Sequence, residues 1–223
     1  MIARSTRVGL ENAFGNTSIL PPGQGCPDPT QTNCPNATVI PLAERFLAGG
    51  GNSHRGFGLN QAGPRDPVTG FPLGGSSLFL NNLELRFPPS TLPYVHDNIS
   101  FALFWDAGNV FVDGRSMLDN LLRWRQKNPQ ACLQEATANQ CDFSYVSHAV
   151  GIGLRYRTPI GPVRFDFGYN LNPPAFPSCQ AAASIKGQGQ SEYCVLNSTG
   201  SLPYFVPQHE SHFNVYFSIG QTF

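Results

Sequence analysis

Between Glu44 and Gly58 the chain reads Glu-Arg-Phe-Leu-Ala-Gly-Gly-Gly-Asn-Ser-His-Arg-Gly-Phe-Gly, and Arg55 is the residue in it with the most demanding chemistry. A guanidinium stays charged. If it is enclosed it needs a carboxylate, because an unpaired buried charge costs several kcal/mol, and its planar fork suits a bidentate partner. Asp106 and Glu84 are the available acids on segments that read as neighbouring strands. On spacing alone, a solvated position at a loop tip remains the alternative. Ser53 and His54 invite a hydrolytic reading, but chain neighbours point apart and no G-x-S-x-G elbow is present. Gly49, Gly50 and Gly51 could cradle a phosphate, yet no GK[ST] follows them. They read better as backbone able to thread close to other surfaces. The expectation is a protein without catalytic residues, cofactor or metal.

The six cysteines form three local couples, Cys26 with Cys34, Cys132 with Cys141 and Cys179 with Cys194, each within a segment that reads as loop. Such spacing favours three short disulfide loops in an oxidising compartment. Reduced thiols in a cytosolic protein are the alternative. Zinc fits less well, because no CxxC or HxxxH spacing accompanies them.

The elements that would position these residues have a period of two. At the C-terminus Phe213, Val215, Phe217 and Ile219 alternate with His212, Asn214, Ser218 and Gly220, and the chain stops on Phe223. Five further segments repeat the alternation. Thr6, Val8 and Leu10 oppose Arg7, Gly9 and Glu11; Phe79, Leu83, Leu85 and Phe87 oppose Asn82, Glu84 and Arg86. Ile99, Phe101, Leu103 and Trp105 oppose Ser100, Ala102, Phe104 and Asp106; Val150 to Tyr156 opposes Gly151 to Arg157; Val163 to Tyr169 opposes Arg164 to Asn170. In a strand this sends one set of side chains to each face. One face is aliphatic and aromatic, and the other carries Arg, Asp, Glu and Gly. A soluble sandwich could alternate in the same way, but the segments approach the roughly 9 to 11 residues of a tilted transmembrane strand. A polar barrel interior then accommodates the charged face.

The connections alternate as well. Residues 158–162 make a tight turn and 88–98 a short one, whereas 15–76, 112–147 and 172–211 are long, and all six cysteines lie in the long ones. Short turns on one side and long loops on the other are the habit of outer-membrane barrels. Within the second long loop, 117–124 could form a short surface helix from the spacing of Leu118, Leu121 and Leu122. The composition agrees with one β-rich domain: 223 residues, 13% charged, 12% aromatic, 23 Gly and 20 Pro. Formal net charge is zero, which gives no electrostatic reason to expect nucleic acid. No apolar run approaches the roughly 18 residues of a spanning helix. Residues 1–7 lack the apolar core of a secretion signal, so the expectation is either a cytosolic chain or the tail of a longer exported one.

Arg55-Gly56-Phe57 after the glycine run resembles the Val-Arg-Gly-Phe/Tyr loop motif of the BamA/TamA outer-membrane assembly superfamily, also called bacterial surface antigens. Phe104-Trp105-Asp106-Ala107-Gly108 is similar to that family's Phe-x-Asp-x-Gly strand motif, Glu84 occupies the place of its inward carboxylate, and Ile219 to Phe223 looks like its C-terminal signal. One departure is His54, where the family usually has Val. The resemblance implies an all-β fold: about six meandering antiparallel strands, near 2–14, 76–88, 98–111, 147–159, 162–172 and 211–223, with a lumenal loop over 15–75. These would be the last six of a sixteen-stranded transmembrane barrel with long extracellular loops. It further implies an outer-membrane location in a Gram-negative bacterium and a role in assembling and inserting barrel proteins. Unfolded outer-membrane proteins would be the substrates, pairing as strands with a lateral gate at residues 213–223. Upstream periplasmic POTRA domains would reach accessory lipoproteins or an inner-membrane partner. A two-partner-type secretion pore or a passive porin is the alternative reading.

Overall fold

The computed structural model describes residues 1–12, 40–66, 70–87, 98–133, 140–159, 161–176 and 208–219. Gly220, Phe223, Cys26, Cys34, Cys179 and Cys194, all singled out above, lie outside them. Six strands form one antiparallel sheet: β1 (Ile2–Leu10), β2 (Ser77–Phe87), β3 (Ile99–Phe111), β4 (Ser147–Thr158), β5 (Gly161–Asn170) and, after a long excursion, the last strand, Phe213–Ile219. The order follows the chain, so every connection joins spatial neighbours. These six strands span 7 to 13 residues. Against the expected ranges, Ile2, Phe111 and Ser147 coincide, β5 starts one residue earlier at Gly161, and the other described ends fall one to four residues inside; Glu11 and Asn12, for example, leave β1 although Glu11 donates its N–H to Ser76.

The register turns the sequence alternation into two chemically different faces. Glu84 lies across from Phe104, Asp106 from Asn82 and Ala149, and Arg155 from Arg164. Directly opposed residues share a face, so the inner face collects Glu84, Asp106, Asp166, Arg155 and Arg164. The outer face collects Leu85, Leu103, Trp105, Ile152, Phe165, Phe167, Val215 and Phe217, all substantially exposed. This inverts the usual relation: the charged residues Asp106 and Asp166 are fully buried while large apolar ones are not. Water is a poor solvent for an outer surface so built, and hydrocarbon is a good one. Among the described residues no helix is long and apolar enough to cross a membrane, which says nothing about strands.

The polar side is filled by the segment between β1 and β2, and there the small apolar core sits. Phe57, Ala48 and Ala62 pack on inward Leu80 of β2 and Val110 of β3. A second cluster, Ala107, Phe111, Met117 and Val146, holds the loop after β3. That loop contains α1 (Gly114–Asn120), which begins and ends earlier than the spacing of its leucines suggests. Asp113 sets the start: its carboxylate accepts the Ser116 N–H, an N-cap that satisfies an orphan donor. Beyond Asn120 the chain leaves the helix, and Trp124 stacks on His148 of β4.

Two further strands, β6 (Ala175–Phe176) and β7 (Gln208–His209), pair with each other and had no signature in the alternation; the last strand of the sheet is therefore β8. The Gln126 side-chain amide donates from Nε2 to the Ala175 carbonyl and accepts the Ala175 N–H at Oε1, and Nε2 also donates to Cys132 Sγ, which is joined to Cys141 in a disulfide. Arg65, from the first long loop, meets Glu210 beside β7 at 2.5 Å and lies 4.1 Å from the Phe176 ring centre. The three long loops are thus tied to one another.

The two faces differ in what they tolerate. In lipid vesicles, Leu103→Arg on the outer face should destabilise the barrel by roughly 2–4 kcal/mol, whereas Ser100→Glu, inward and across from Arg155, should stay within about 0.5 kcal/mol. Urea unfolding of vesicle-inserted protein measures both; equal tolerance at the two positions contradicts a lipid-facing outer wall.

Candidate functional site

Arg55 is 2% exposed, at the centre of the inner face. Its Nε and Nη2 donate to the two oxygens of Asp106, each at 2.7 Å, in the side-on fork that guanidinium and carboxylate geometry favours. Its own backbone N–H donates to Asp106 Oδ2 at 3.0 Å. On the other side Nη1 donates to Glu84 Oε1 at 2.7 Å and to Asp166 Oδ2 at 3.4 Å. The guanidinium carbon lies 3.5 Å above the centre of the Phe104 ring. Burial alone would lower the Arg55 pKa, but the hydrogen bonds and charges of Asp106, Glu84 and Asp166 outweigh it and raise the pKa above its ordinary value. The solvated loop tip is therefore not what this sequence builds.

Three acids around one cation would leave negative charge uncompensated, and further arginines balance it. Arg86 Nε donates to Glu84 Oε2 at 2.9 Å, Arg155 Nη2 donates to the same carboxylate at 3.1 Å, and Arg164 contacts Asp166. Asn82 donates to Asp106 Oδ1 at 2.9 Å. Asp166, Arg155, Arg164 and Asn82 were not among the site residues expected from the sequence. Their inward parity was the one signal the sequence carried for them, and it does not single them out from other inward residues. Phe104 lies flat between Arg55 and Gly151, where a Cβ would overlap the ring. At Gly168 a side chain would overlap the Arg55 carbonyl oxygen, so the loop backbone rests directly on β5. Gly108 is inward at φ +153°, and a Cβ there would overlap the Phe79 carbonyl oxygen of the neighbouring strand.

The loop is also bonded to β8. The Gly56 carbonyl accepts from Asn170 at 2.9 Å and from Asn214 at 3.1 Å, and the Phe57 carbonyl accepts from the Tyr216 hydroxyl. Arg164 Nη2 donates to the Gly51 carbonyl at 2.9 Å. Phe57 itself is fully buried in the apolar cluster. On the outer face Phe165 and Phe217 have ring centres 4.8 Å apart, and Phe167 and Phe213 6.3 Å. Phe213, Val215, Phe217 and Ile219 all point outward, opposite Tyr169, Phe167, Phe165 and Val163.

His54 is fully buried and lies edge-on to Phe57, with ring centres 5.0 Å apart. The imidazole makes this apolar contact. Its two nitrogens have complementary tasks: Nε2 donates to the Ser147 carbonyl at 3.0 Å, and Nδ1 accepts the Gly56 N–H at 3.1 Å. A proton on Nδ1 would face that N–H. Burial accordingly lowers the His54 pKa, against the opposing charge of Asp106. Ser53 is turned elsewhere: its Oγ accepts the Gly49 N–H at 3.1 Å, so serine and histidine do not form a pair.

Residues 5–223 match the model of the Omp85 superfamily domain. The chain is 27% identical over 135 residues to an outer membrane protein assembly factor BamA of Nitratidesulfovibrio vulgaris, covering 60% of this chain and 13% of that protein. It is 28% identical over 138 residues to the BamA of Neisseria meningitidis, covering 59% and 17%. It is 30% identical over 138 residues to a SAM50-like protein of Schizosaccharomyces pombe, covering 61% and 24%. The chain thus spans between an eighth and a quarter of the length of these relatives.

Two measurements probe the ion cluster. Arg55→Ala leaves buried carboxylates without their partner and should cost about 3–5 kcal/mol in urea unfolding, with Arg55→Lys intermediate because an ammonium cannot span Asp106 with a fork. For His54, the lowered pKa means that the neutral form is the folded form. Its contribution is complete above the unfolded value of about 6.5 and is lost as pH falls below it. Limited proteolysis of the loop should therefore accelerate from pH 7.5 to pH 5, roughly across that titration, and much less so in His54→Val. A pH response identical in the two proteins counts against the assignment.

Proposed function

This chain belongs to the Omp85 superfamily and is an outer-membrane protein, and on that footing we propose that it is the barrel wall, lumenal loop and closing strand of a factor that assembles other outer-membrane β-barrel proteins. Its six strands are the C-terminal part of a larger barrel. Its substrates are unfolded outer-membrane proteins, whose strands pair with the free edge of β8, and no covalent step is involved. Accessory lipoproteins or an inner-membrane partner engage the parent protein through periplasmic domains. The names of the two BamA relatives support the assembly role, and strand addition at a sheet edge is a general mode of recognition.

The observation that carries this reading is the bracing of one loop against both the middle of the wall and β8. A passive pore needs a polar lumen but no such strut. An edge that accepts foreign strands needs its own strand held on the opposite side, or it would leave with the substrate. β8 is held so, by seven residues paired with β5, by outward aromatic pairs and by Asn214 and Tyr216 from within. The loop therefore supports the closing strand directly, and a gate, where it opens, opens on the other edge of β8.

The test uses the full-length parent in proteoliposomes, with an unfolded barrel protein supplied and its acquisition of heat-modifiable mobility followed. Arg55→Ala should lower the assembly rate by about an order of magnitude, because it removes a buried charge network, with Arg55→Lys between it and the parent. Tyr216→Phe, which releases one strut and leaves the ion cluster intact, should lower the rate about threefold to tenfold, as loss of a single hydrogen bond does. Full activity in all three variants would leave the proposal without support.

A further inference from the structure

The six strands place a single charged side chain on their apolar outer face. Arg4 of β1 lies opposite Leu83, and its Nε donates to Asn81 Oδ1 at 2.9 Å, the same oxygen that accepts the Thr6 hydroxyl at 2.9 Å. Asn81 and Thr6 are themselves outward. Among the described residues, the terminal nitrogens of Arg4 have no hydrogen-bond partner and no carboxylate is paired with it. A guanidinium on a lipid-facing wall is costly unless an anion meets it or it reaches the headgroup layer.

Arg4 lines a groove of about 570 Å³ on that outer face. The floor is the wall itself, with Leu83, Trp105 and Ala107, and the rim is the loop after β3, which folds back over the wall with Leu121, Leu122 and Trp124. His148 is stacked between the two tryptophans, with ring centres 5.8 Å from Trp105 and 4.0 Å from Trp124. Leu122 is 97% exposed, so the rim offers apolar surface to whatever lies beside it. Tryptophans at one level of a spanning wall mark the boundary between hydrocarbon and headgroups. The rim is part of a long loop, and Phe79, Asn81, Ala107 and His148 line the groove from the strand halves nearest the long loops, which is the outer-leaflet side in a barrel with short periplasmic turns.

We propose that this groove is a binding site for a phosphate-bearing lipid of the outer leaflet, with an acyl chain along Leu83, Leu121 and Leu122 and a phosphate oxygen on the Arg4 guanidinium. Charge selects the occupant. An anionic headgroup neutralises the one cation that the described strands place on this face, and a zwitterionic headgroup carries its own ammonium to the same place. The position of the loop makes the site selective for one leaflet, since no comparable rim stands at the opposite ends of the strands among the described residues.

The full-length protein in detergent is titrated with lipid A, with dioleoyl phosphatidylcholine and with inorganic phosphate, and bound lipid is read by native mass spectrometry. Lipid A should be retained in preference to phosphatidylcholine and should not be displaced by inorganic phosphate. Arg4→Gln should weaken its retention about fivefold, the factor one basic residue adds at an anionic surface, while Arg4→Lys keeps most of it. Trp124→Ala lies in the loop, outside the strands, and should weaken retention of lipid A even if Arg4→Gln fails to fold. Equal retention of phosphatidylcholine, displacement by inorganic phosphate, or unchanged lipid A binding in Arg4→Gln or Trp124→Ala each overturns the proposal.

Discussion

A guanidinium taken out of water has to be met by carboxylates, and in this chain that requirement reaches from one loop into three strands. Asp106 on β3, Glu84 on β2 and Asp166 on β5 all point to Arg55 only because their strands share one register. A slip of one residue in any of them would turn its acid toward the apolar outside and leave the buried cation short of a partner. Hydrophobic patterning specifies which face is which, and the ion cluster specifies it again from the opposite side. The two constraints agree at β2, β3, β4 and β5.

The same loop that brings the cation also presents backbone carbonyls. Gly51, Gly56 and Phe57 accept from Arg164, Asn170, Asn214 and Tyr216, which lie on β5 and β8. Such bonds form only if the loop backbone lies close against the wall, and Gly168 permits that approach. His54 serves the same end. Its neutral ring joins the Ser147 carbonyl on β4 to the Gly56 N–H within the loop, so the turn that carries Arg55 is fixed at both ends. The loop is a strut from the middle of the wall to its last strand.

Alternation made the strands and their faces legible in the sequence, because a period of two survives any loop length between them. Glu84 and Asp106 could be grouped with Arg55 because they are acids with inward parity on adjoining segments and a loop guanidinium, once enclosed, needs such partners; the motif resemblance picked the same three. Parity alone could not choose Asp166 over other inward residues, since which strand faces the loop depends on how the loop folds across the lumen. Tyr216 is a clearer case. It is 159 residues from Phe57, and its hydroxyl finds a carbonyl, a group that every residue carries, so no residue type in the sequence marks the partner. The helix ends shifted for a local reason, the Asp113 cap, which outweighed the leucine spacing. Strands β6 and β7 are two residues each, too short for any alternation to show.

Ion clusters of this kind are poor stabilisers. The desolvation of each charge offsets most of the attraction between them, and a well-packed apolar cluster of equal volume is often as stable or more so. Apolar packing was available here, as Phe57, Leu80 and Val110 beside the cluster demonstrate. What apolar contacts lack is direction: a leucine tolerates rotation and sliding that a bidentate pair does not. The geometry of the Arg55 fork fixes the loop to Asp106 by side chain and backbone together, and Gly56 and Phe57 are the next two residues. Any displacement of the guanidinium is thus transmitted to the carbonyls that hold Asn214 and Tyr216. The cluster is best understood as setting the position of β8 relative to the wall, with stability drawn from the strand pairing and the lipid around it.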